Sequence, residues 1–310
     1  MPSSGSVQSA GGGATNNQVR RAQPRHATRP GTVPPSPGVP VRLRAILLAL
    51  VIATVAAMNP ATALSSSPSA RQPATSATVL QMNLCLSGFA DCYPGTAYPA
   101  VVDEAAEQVM TSDAEVVTLN EVCRGDAADM ALRTGYRMRF TAVLVDAAPL
   151  RCVEPLDRGA FGLAILTKAR IRTSDDQAFE THAGLEERRW LCITTVDAVS
   201  VCTAHLGTRD SREARHANDA ECAELQRVLA RYDKRGTTLF GGDVNRQRPC
   251  APAAMWARSD TAGTQQAGIQ HLYGSRFPRE PATRIAVASH TDHDFLLAAG
   301  RAEWPWVAAS

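Results

Sequence analysis

Lysine is almost absent from this chain: Lys168 and Lys234 are the only two, and arginine carries the rest of the positive charge, a bias of base composition rather than of function. Aromatic residues are sparse at 5% of the sequence, which argues against a surface that grips single strands by base stacking. No Cys-x-x-Cys pair exists, so the cysteines do not read as a zinc set. The apolar run at residues 45–58 has 14 residues and is broken by Thr54, short of the roughly 20 that a membrane helix needs. There is no internal repeat and no second linker, so one folded domain is the simplest count.

What is present divides sharply. Residues 1–41 are rich in Gly, Ser, Pro, Gln and Ala without hydrophobic periodicity, and are expected to be a disordered tail. Arg42 and Arg44, the short apolar run and the exit Ala61-Thr62-Ala63 form the three parts of a secretory signal over residues 42–63, either cut after Ala63 or kept as a signal-anchor. Residues 64–76 are read as a linker and 77–310 as the domain, placed outside the cell or on the outer face of the membrane. Removing residues 1–63 takes away six Arg and no acid, leaving 26 Lys and Arg against 30 Asp and Glu, a net charge of −4. That excludes gripping a polyanion by bulk charge, though not a local basic patch.

All eight cysteines follow the signal, and an even count in an exported chain implies disulfides. Spacing alone does not give the connectivity. Chain neighbours suggest Cys192–Cys202 across a hairpin turn at residues 196–199, Cys85–Cys92 around Gly88, and Cys222 on a helix reaching Cys250. Cys123–Cys152 is left.

Apolar patterning predicts strands at residues 78–84, 115–119, 136–145, 161–167, 190–196, 199–205, 237–241, 269–273, 295–298 and 304–307. Helices are expected at 101–110, 127–133 and, most clearly, 212–232, where Ala214, Ala217, Leu225, Val228, Leu229 and Tyr232 recur at helical spacing. Many strands with few helices between them favour an α+β sandwich of mostly antiparallel sheets over a doubly wound one.

Several of these strands end in polar patches: Gln81-Met82-Asn83, Leu119-Asn120-Glu121, Thr203-Ala204-His205-Leu206, Gly241-Gly242-Asp243-Val244-Asn245 and Thr291-Asp292-His293. Carboxylates, amides and imidazoles brought together suit a hard divalent cation beside an acid/base, the chemistry of phosphoester cleavage. Asp243 and Asn245, two apart, would point to one side if extended. The two glycines before them allow close approach by another chain or a phosphate. His290 and His293 with Asp292 and Asp294 offer a rival zinc reading, weakened because the segment runs into a strand. His182, His216 and His271 lack partners in the sequence and are expected on the surface or in loops.

The order Asn, Glu, His, Asp-x-Asn, Asp-His, together with Phe161-Gly162-Leu163-Ala164-Ile165-Leu166-Thr167, resembles the endonuclease/exonuclease/phosphatase (DNase I-like) family, in a secreted bacterial form. The likeness spans roughly residues 77–298. It implies a four-layer sandwich of two β-sheets flanked by helices, with the site at one mouth. It implies that Glu121, helped by Asn83 and Asp292, holds Mg2+, Mn2+ or Ca2+. Asp243 would orient or deprotonate water, Asn245 would hold a phosphate oxygen, and His205 and His293 would contact the phosphate. In the family an Asp pairs with the final histidine; Gln270 stands there, so His293 is expected to be less basic than in its relatives and oriented by an amide. Independently of the resemblance, Arg276, Arg279 and Arg284 cluster in a Gly/Pro-bearing loop that reads either as reaching substrate phosphates or as a solvated loop.

The reading is an exported, monomeric, metal-dependent phosphoesterase without an obligate protein partner. Nucleic acid is marginally favoured as substrate over phospholipid or a phosphorylated small molecule. The alternative is a non-catalytic secreted protein that kept the fold.

Overall fold

The computed structural model describes residues 76–90, 92–260, 266–275, 282–286 and 288–301. The chain divides by contacts into Met1–Ser66 and Ser67–Ser310, and every described residue lies in the second unit. The expected tail, signal and most of the linker, the strand at 304–307, and Arg276 and Arg279 lie outside the described residues.

In chain order the elements are β1 (Ser76–Asn83), α1 (Ala100–Ser112), β2 (Val116–Cys123), α2 (Arg124–Thr134), β3 (Arg137–Ala142), β4 (Leu144–Val145), β5 (Ala148–Pro149), β6 (Phe161–Thr167) and β7 (Ile171–Ala178). They continue as β8 (Glu186–Glu187), β9 (Arg189–Thr195), β10 (Ser200–His205), α3 (Arg212–Asp233), β11 (Thr238–Asp243), β12 (Trp256–Ser259), β13 (Gln270–Gly274), β14 (Ala282–Ala286) and β15 (Phe295–Arg301). One six-stranded sheet runs β14-β15-β1-β2-β6-β3, a second β12-β13-β11-β10-β9-β7, and a small sheet β5-β4-β8.

Alternation along each strand builds four layers. Val79, Val116, Ile165, Ile193, Val201 and Leu239 turn inward between the two large sheets. From the opposite face of the first sheet, Leu80, Met82, Val117 and Leu119 pack under Val101, Ala105, Val109 and Met130 of α1 and α2. Phe240 and Tyr273 of the second sheet meet Leu225, Val228 and Leu229 of α3, which is capped by Ser211 accepting from Ala214 N–H. The sandwich expected from the sequence is the fold observed.

Strand direction places the polar patches together. β1 and β2 are parallel with Asn83 opposite Asn120, and β10 and β11 are parallel with His205 opposite Asp243. Parallel neighbours release their C-terminal residues at one edge. β13 begins antiparallel at Gln270, opposite Asp243, and β15 begins just after His293 beside the end of β1.

Several expectations change. β2 continues past Leu119 to Cys123 through a register shift between Leu119 and Val122. The single strand expected at 136–145 is two, because Val143 N–H bonds to Phe161 O and the chain then turns into the small sheet. β7 gave no signal because it is a largely exposed edge strand with Arg, Ser and Asp facing solvent, a composition that blunts edge pairing. Arg284 lies on β14 paired with Leu297, not in a loop. Ser76, placed in the linker, is the first residue of β1.

Four disulfides join Cys85–Cys92, Cys123–Cys152, Cys192–Cys202 and Cys222–Cys250, the pairing that chain neighbours suggested.

Candidate active site

The floor of the site is a hydrogen-bond lattice that ties the two sheets. Gln81 Nε2 donates to Asn120 Oδ1 at 2.8 Å and to Gln270 Oε1 at 3.0 Å, while its own oxygen accepts from Thr118 Oγ1. Asn120 Oδ1 also accepts from Asp243 N–H at 2.7 Å, and its Nδ2 donates to Thr203 Oγ1. These side chains are buried and mutually satisfied, so they fix the strand ends rather than contact a ligand.

Above it, Asn83 Nδ2 donates to Glu121 Oε1 at 2.9 Å and to Asp243 Oδ2 at 3.0 Å, joining a carboxylate from each sheet. Its amide oxygen accepts from Cys85 N–H at 3.1 Å. Asn83 thus turns its NH2 to the centre, where an amide oxygen had been expected. Glu121 sits in the register shift of β2 with φ +51°, a left-handed conformation that costs a non-glycine residue on the order of 1 kcal/mol. The shift swings the carboxylate out of the strand's alternation and toward the cavity.

Asp243 is the hub. Its Oδ1 accepts from Asn245 N–H at 2.9 Å, and its Oδ2 accepts from Asn83, from Gln270 Nε2 at 2.7 Å and from His293 Nε2 at 3.4 Å. Burial alone would raise its pKa, but the surrounding imidazoles and the Asn83 hydrogen bond together outweigh that and hold it well below the usual carboxylate range. Asn245 is not extended as expected: β11 stops at Asp243 and Asn245 has φ +51°. Its side chain turns back so that Nδ2 donates to Leu206 O at 2.9 Å and lies 3.1 Å from His205 Nε2.

The two histidines are set to opposite charges. His293 is held between carboxylates, with Asp292 Oδ1 2.6 Å from Nδ1 and Asp243 beyond Nε2. Burial would lower its pKa, but the bonds to Asp243 and Asp292 raise it to about 10, so it carries a proton at neutral pH. The expected orientation of His293 by the Gln270 amide is not found. Gln270 points its amide at Asp243 and the lattice, and the carboxylates on His293 come from residues 243 and 292. His205 is lowered to about 3 by burial and by Arg188, whose Nη1 lies 3.0 Å from Nδ1. A guanidinium can only donate, so Nδ1 accepts from Arg188, while Nε2 lies 3.1 Å from the Asn245 amide nitrogen and 3.8 Å from Glu121 Oε1.

Glu121, Arg188, His205, Asp243, Asn245, Asp292 and His293 all line one cavity of about 440 Å3. Arg188 is the residue that sequence reasoning missed: it stands in Glu186-Glu187-Arg188-Arg189, which reads as a solvated turn. His271 was also misread. It is buried, with Nε2 2.9 Å from Arg246 O and Nδ1 2.9 Å from Tyr273 Oη, and it braces the loop after Asn245. The zinc reading of 290–294 fails because His290 Nδ1 turns away to Glu104 at 3.0 Å.

Among the described residues, the one grouping of three His, Cys, Asp or Glu ligand atoms within 4.8 Å is Cys85, Cys92 and Glu121, and its two sulfurs are joined in a disulfide, with no thiolate to offer. Burial raises the pKa of Glu121 despite the Asn83 hydrogen bond. Its Oε2 has no protein partner among the described residues while the side chain faces the cavity. Asp292 has Oδ1 on His293 and Oδ2 accepting from Gln266 Nε2 at 2.6 Å. One open buried carboxylate, with a second engaged nearby, fits a Mg2+-type ion, which is held by one or two carboxylates and completed by waters and substrate phosphate. It offers far fewer oxygens than a full Ca2+ cage.

No family model matches the chain, and no curated protein does. Solved structures do match in fold. The human Nocturnin catalytic domain, bound to a sulfate anion, superposes with a TM-score of 0.55 at 14% identity over 72% of this chain and 92% of that one. An endonuclease/exonuclease/phosphatase from Beutenbergia cavernae gives 0.56 at 16% identity, over 73% and 71%. Truncated Caenorhabditis elegans TDP2 gives 0.53 at 14%, over 73% and 98%. The chain has the endonuclease/exonuclease/phosphatase, or DNase I-like, fold.

Proposed function

We propose that this protein is an exported phosphoesterase that depends on a divalent metal and hydrolyses phosphodiester or phosphomonoester bonds. The observation that carries the reading is the convergence of Glu121, His205, Asp243, Asn245, Asp292 and His293, from strand ends of both sheets, on one cavity. Asp243 binds protons too weakly to act as a strong base, so its role is to accept a hydrogen bond from the attacking water and aim it. His293, charged, donates to phosphoryl oxygens as negative charge grows there, and His205 contacts them, a preorganised environment of the kind that dominates such catalysis. Asn245, turned back between His205 and Leu206, fixes the imidazole plane and has its amide at the same oxygens. Arg188 holds the His205 ring in place through Nδ1. Glu121, with Asp292, is the ligand for Mg2+ (or Mn2+ or Ca2+), which when bound lowers the pKa of its water and polarises the phosphoryl oxygen.

Export is supported by the signal-like segment and by four disulfides, which persist in oxidising compartments. The sulfate in Nocturnin, a tetrahedral oxyanion like phosphate, supports the choice of reaction class. The test is a panel of DNA, RNA, sphingomyelin and phosphorylated inositol with added Mg2+ and an EDTA control. Metal-dependent turnover of one substrate, abolished in Glu121→Gln, is expected. Zero turnover across the panel, with the protein folded and oxidised, would favour a binding protein that kept the fold.

A further inference from the structure

A second cavity of about 490 Å3 adjoins the site and is lined in part by Arg209, Arg246 and Arg248 with Asp219. Consecutive residues line the two cavities. Thr208 and Asn245 line the catalytic cavity, and the next residues, Arg209 and Arg246, line this one. Asn218 of α3 clamps both loops, its Nδ2 donating to Gly207 O at 2.7 Å and Val244 O at 3.0 Å.

The charge there is unbalanced. Arg209 Nη1 and Arg246 Nη1 share the single carboxylate oxygen Asp219 Oδ1, at 2.7 and 2.8 Å, and both also reach Asn218 Oδ1. Arg248 is exposed and has no partner among the described residues. Arg246 Nε–H is buried with no acceptor. Buried donors without an acceptor are few in folded proteins, and this one sits beside the unbalanced guanidinium groups. Fixed guanidinium groups in excess over carboxylate match the bidentate recognition of phosphate.

We propose that this cavity is an anion subsite for a second phosphate group of the substrate, next to the one being cleaved. It deepens the phosphoesterase reading and rests on it for the word substrate: a compound with a single phosphate has nothing to put there, whereas a phosphodiester chain or a polyphosphate does.

Calorimetric titration of the oxidised full chain with inorganic pyrophosphate in EDTA reads binding without turnover. Arg248→Glu is the clean variant, since that side chain is exposed and makes no hydrogen bond or ion pair with another described residue, and Arg246→Ala is the second. Both are expected to weaken pyrophosphate binding tenfold or more. In kinetics, Arg248→Glu should raise KM for a hexanucleotide by a similar factor and leave kcat and KM for bis(p-nitrophenyl) phosphate unchanged. The salt dependence of hexanucleotide binding should fall by roughly 0.7 in log–log slope for the lost contact. Equal pyrophosphate affinity in wild type and both variants overturns the subsite. Weakened pyrophosphate binding with an unchanged hexanucleotide KM also overturns it, because the cavity would then hold a free anion and not substrate. If neither substrate is turned over, the phosphoesterase reading falls, and the titration still decides the anion site.

Discussion

His293 shows how much one side chain's neighbours decide. Two carboxylates bracket its ring, so burial that would neutralise an isolated imidazole leaves this one charged. His293→Ala should reduce turnover by about 10²–10⁴, the usual worth of a placed acid/base or charge donor, with the circular dichroism spectrum unchanged. Glu221 carries a different prediction. It lies buried on α3, accepts Gly207 N–H at 2.6 Å and leaves Oε1 without a partner. Burial raises its pKa from 4.5 to about 7 against the Gly207 hydrogen bond. The folded state therefore holds the proton more tightly than the unfolded one. That stabilisation is full below pH ~4.5 and is lost as pH rises through ~7, a change of about 3 kcal/mol. Urea unfolding at pH 5 and pH 8 should show this loss in wild type and much less of it in Glu221→Gln. Residues at the ends of apolar runs, such as Glu121, His205 and Asp243, were legible because a polar group closing a buried strand is conspicuous. Arg188 was not, since one arginine in a charged run has nothing to mark it. The target of Gln270 depends on which way an amide points across two sheets, which no spacing encodes.

At the scale of elements, the site follows from two parallel strand pairs facing each other. β1 with β2 and β10 with β11 bring their ends to the same mouth, and the Gln81–Asn120–Gln270 lattice locks one sheet to the other. Gly241 permits the close contact, since a Cβ there would lie 2.1 Å from Thr118 Oγ1 of the opposite sheet. The glycine pair accommodates protein, not phosphate: a Cβ on Gly242 would strike Ala204 O of β10 at 2.4 Å. Gly241→Ala should push the sheets apart and destabilise by about 1–3 kcal/mol as overpacking does, read as a lowered urea midpoint. Asn120→Ala should cost a similar amount by stranding the buried Asp243 N–H, and should lower kcat as well because Asp243 loses its anchor. Core strands were visible in the sequence from their apolar runs. β7 and β14 were not: one is an exposed edge, and the other lies in a segment whose Gly and Pro residues read as loop.

For the whole molecule, the disulfides hold the functional loops as much as the core. Cys222–Cys250 closes a separation of 28 residues between α3 and the loop after Asn245, and Cys85–Cys92 lies against Glu121. Replacing Cys222 and Cys250 by serine should cost about 3–4 kcal/mol on the chain-entropy scale and weaken activity through the loosened loop, checked by paired urea and kinetic measurements. The pairing was readable because sequence neighbours also share hairpins or adjoining elements. The arginine-lined cavity was not readable, since Arg209 and Arg246 are 37 residues apart and meet through Asn218 and Asp219 of α3. The central claim is that strand ends from both sheets form one ion-assisted phosphate centre. A crystal soaked with Mn2+ and phosphate, phased on the manganese anomalous signal, tests it most directly. Manganese bound to the Glu121 carboxylate, with phosphate oxygens on His205 and His293, is the predicted result. Manganese bound elsewhere, or a phosphate that ignores both histidines, would contradict it.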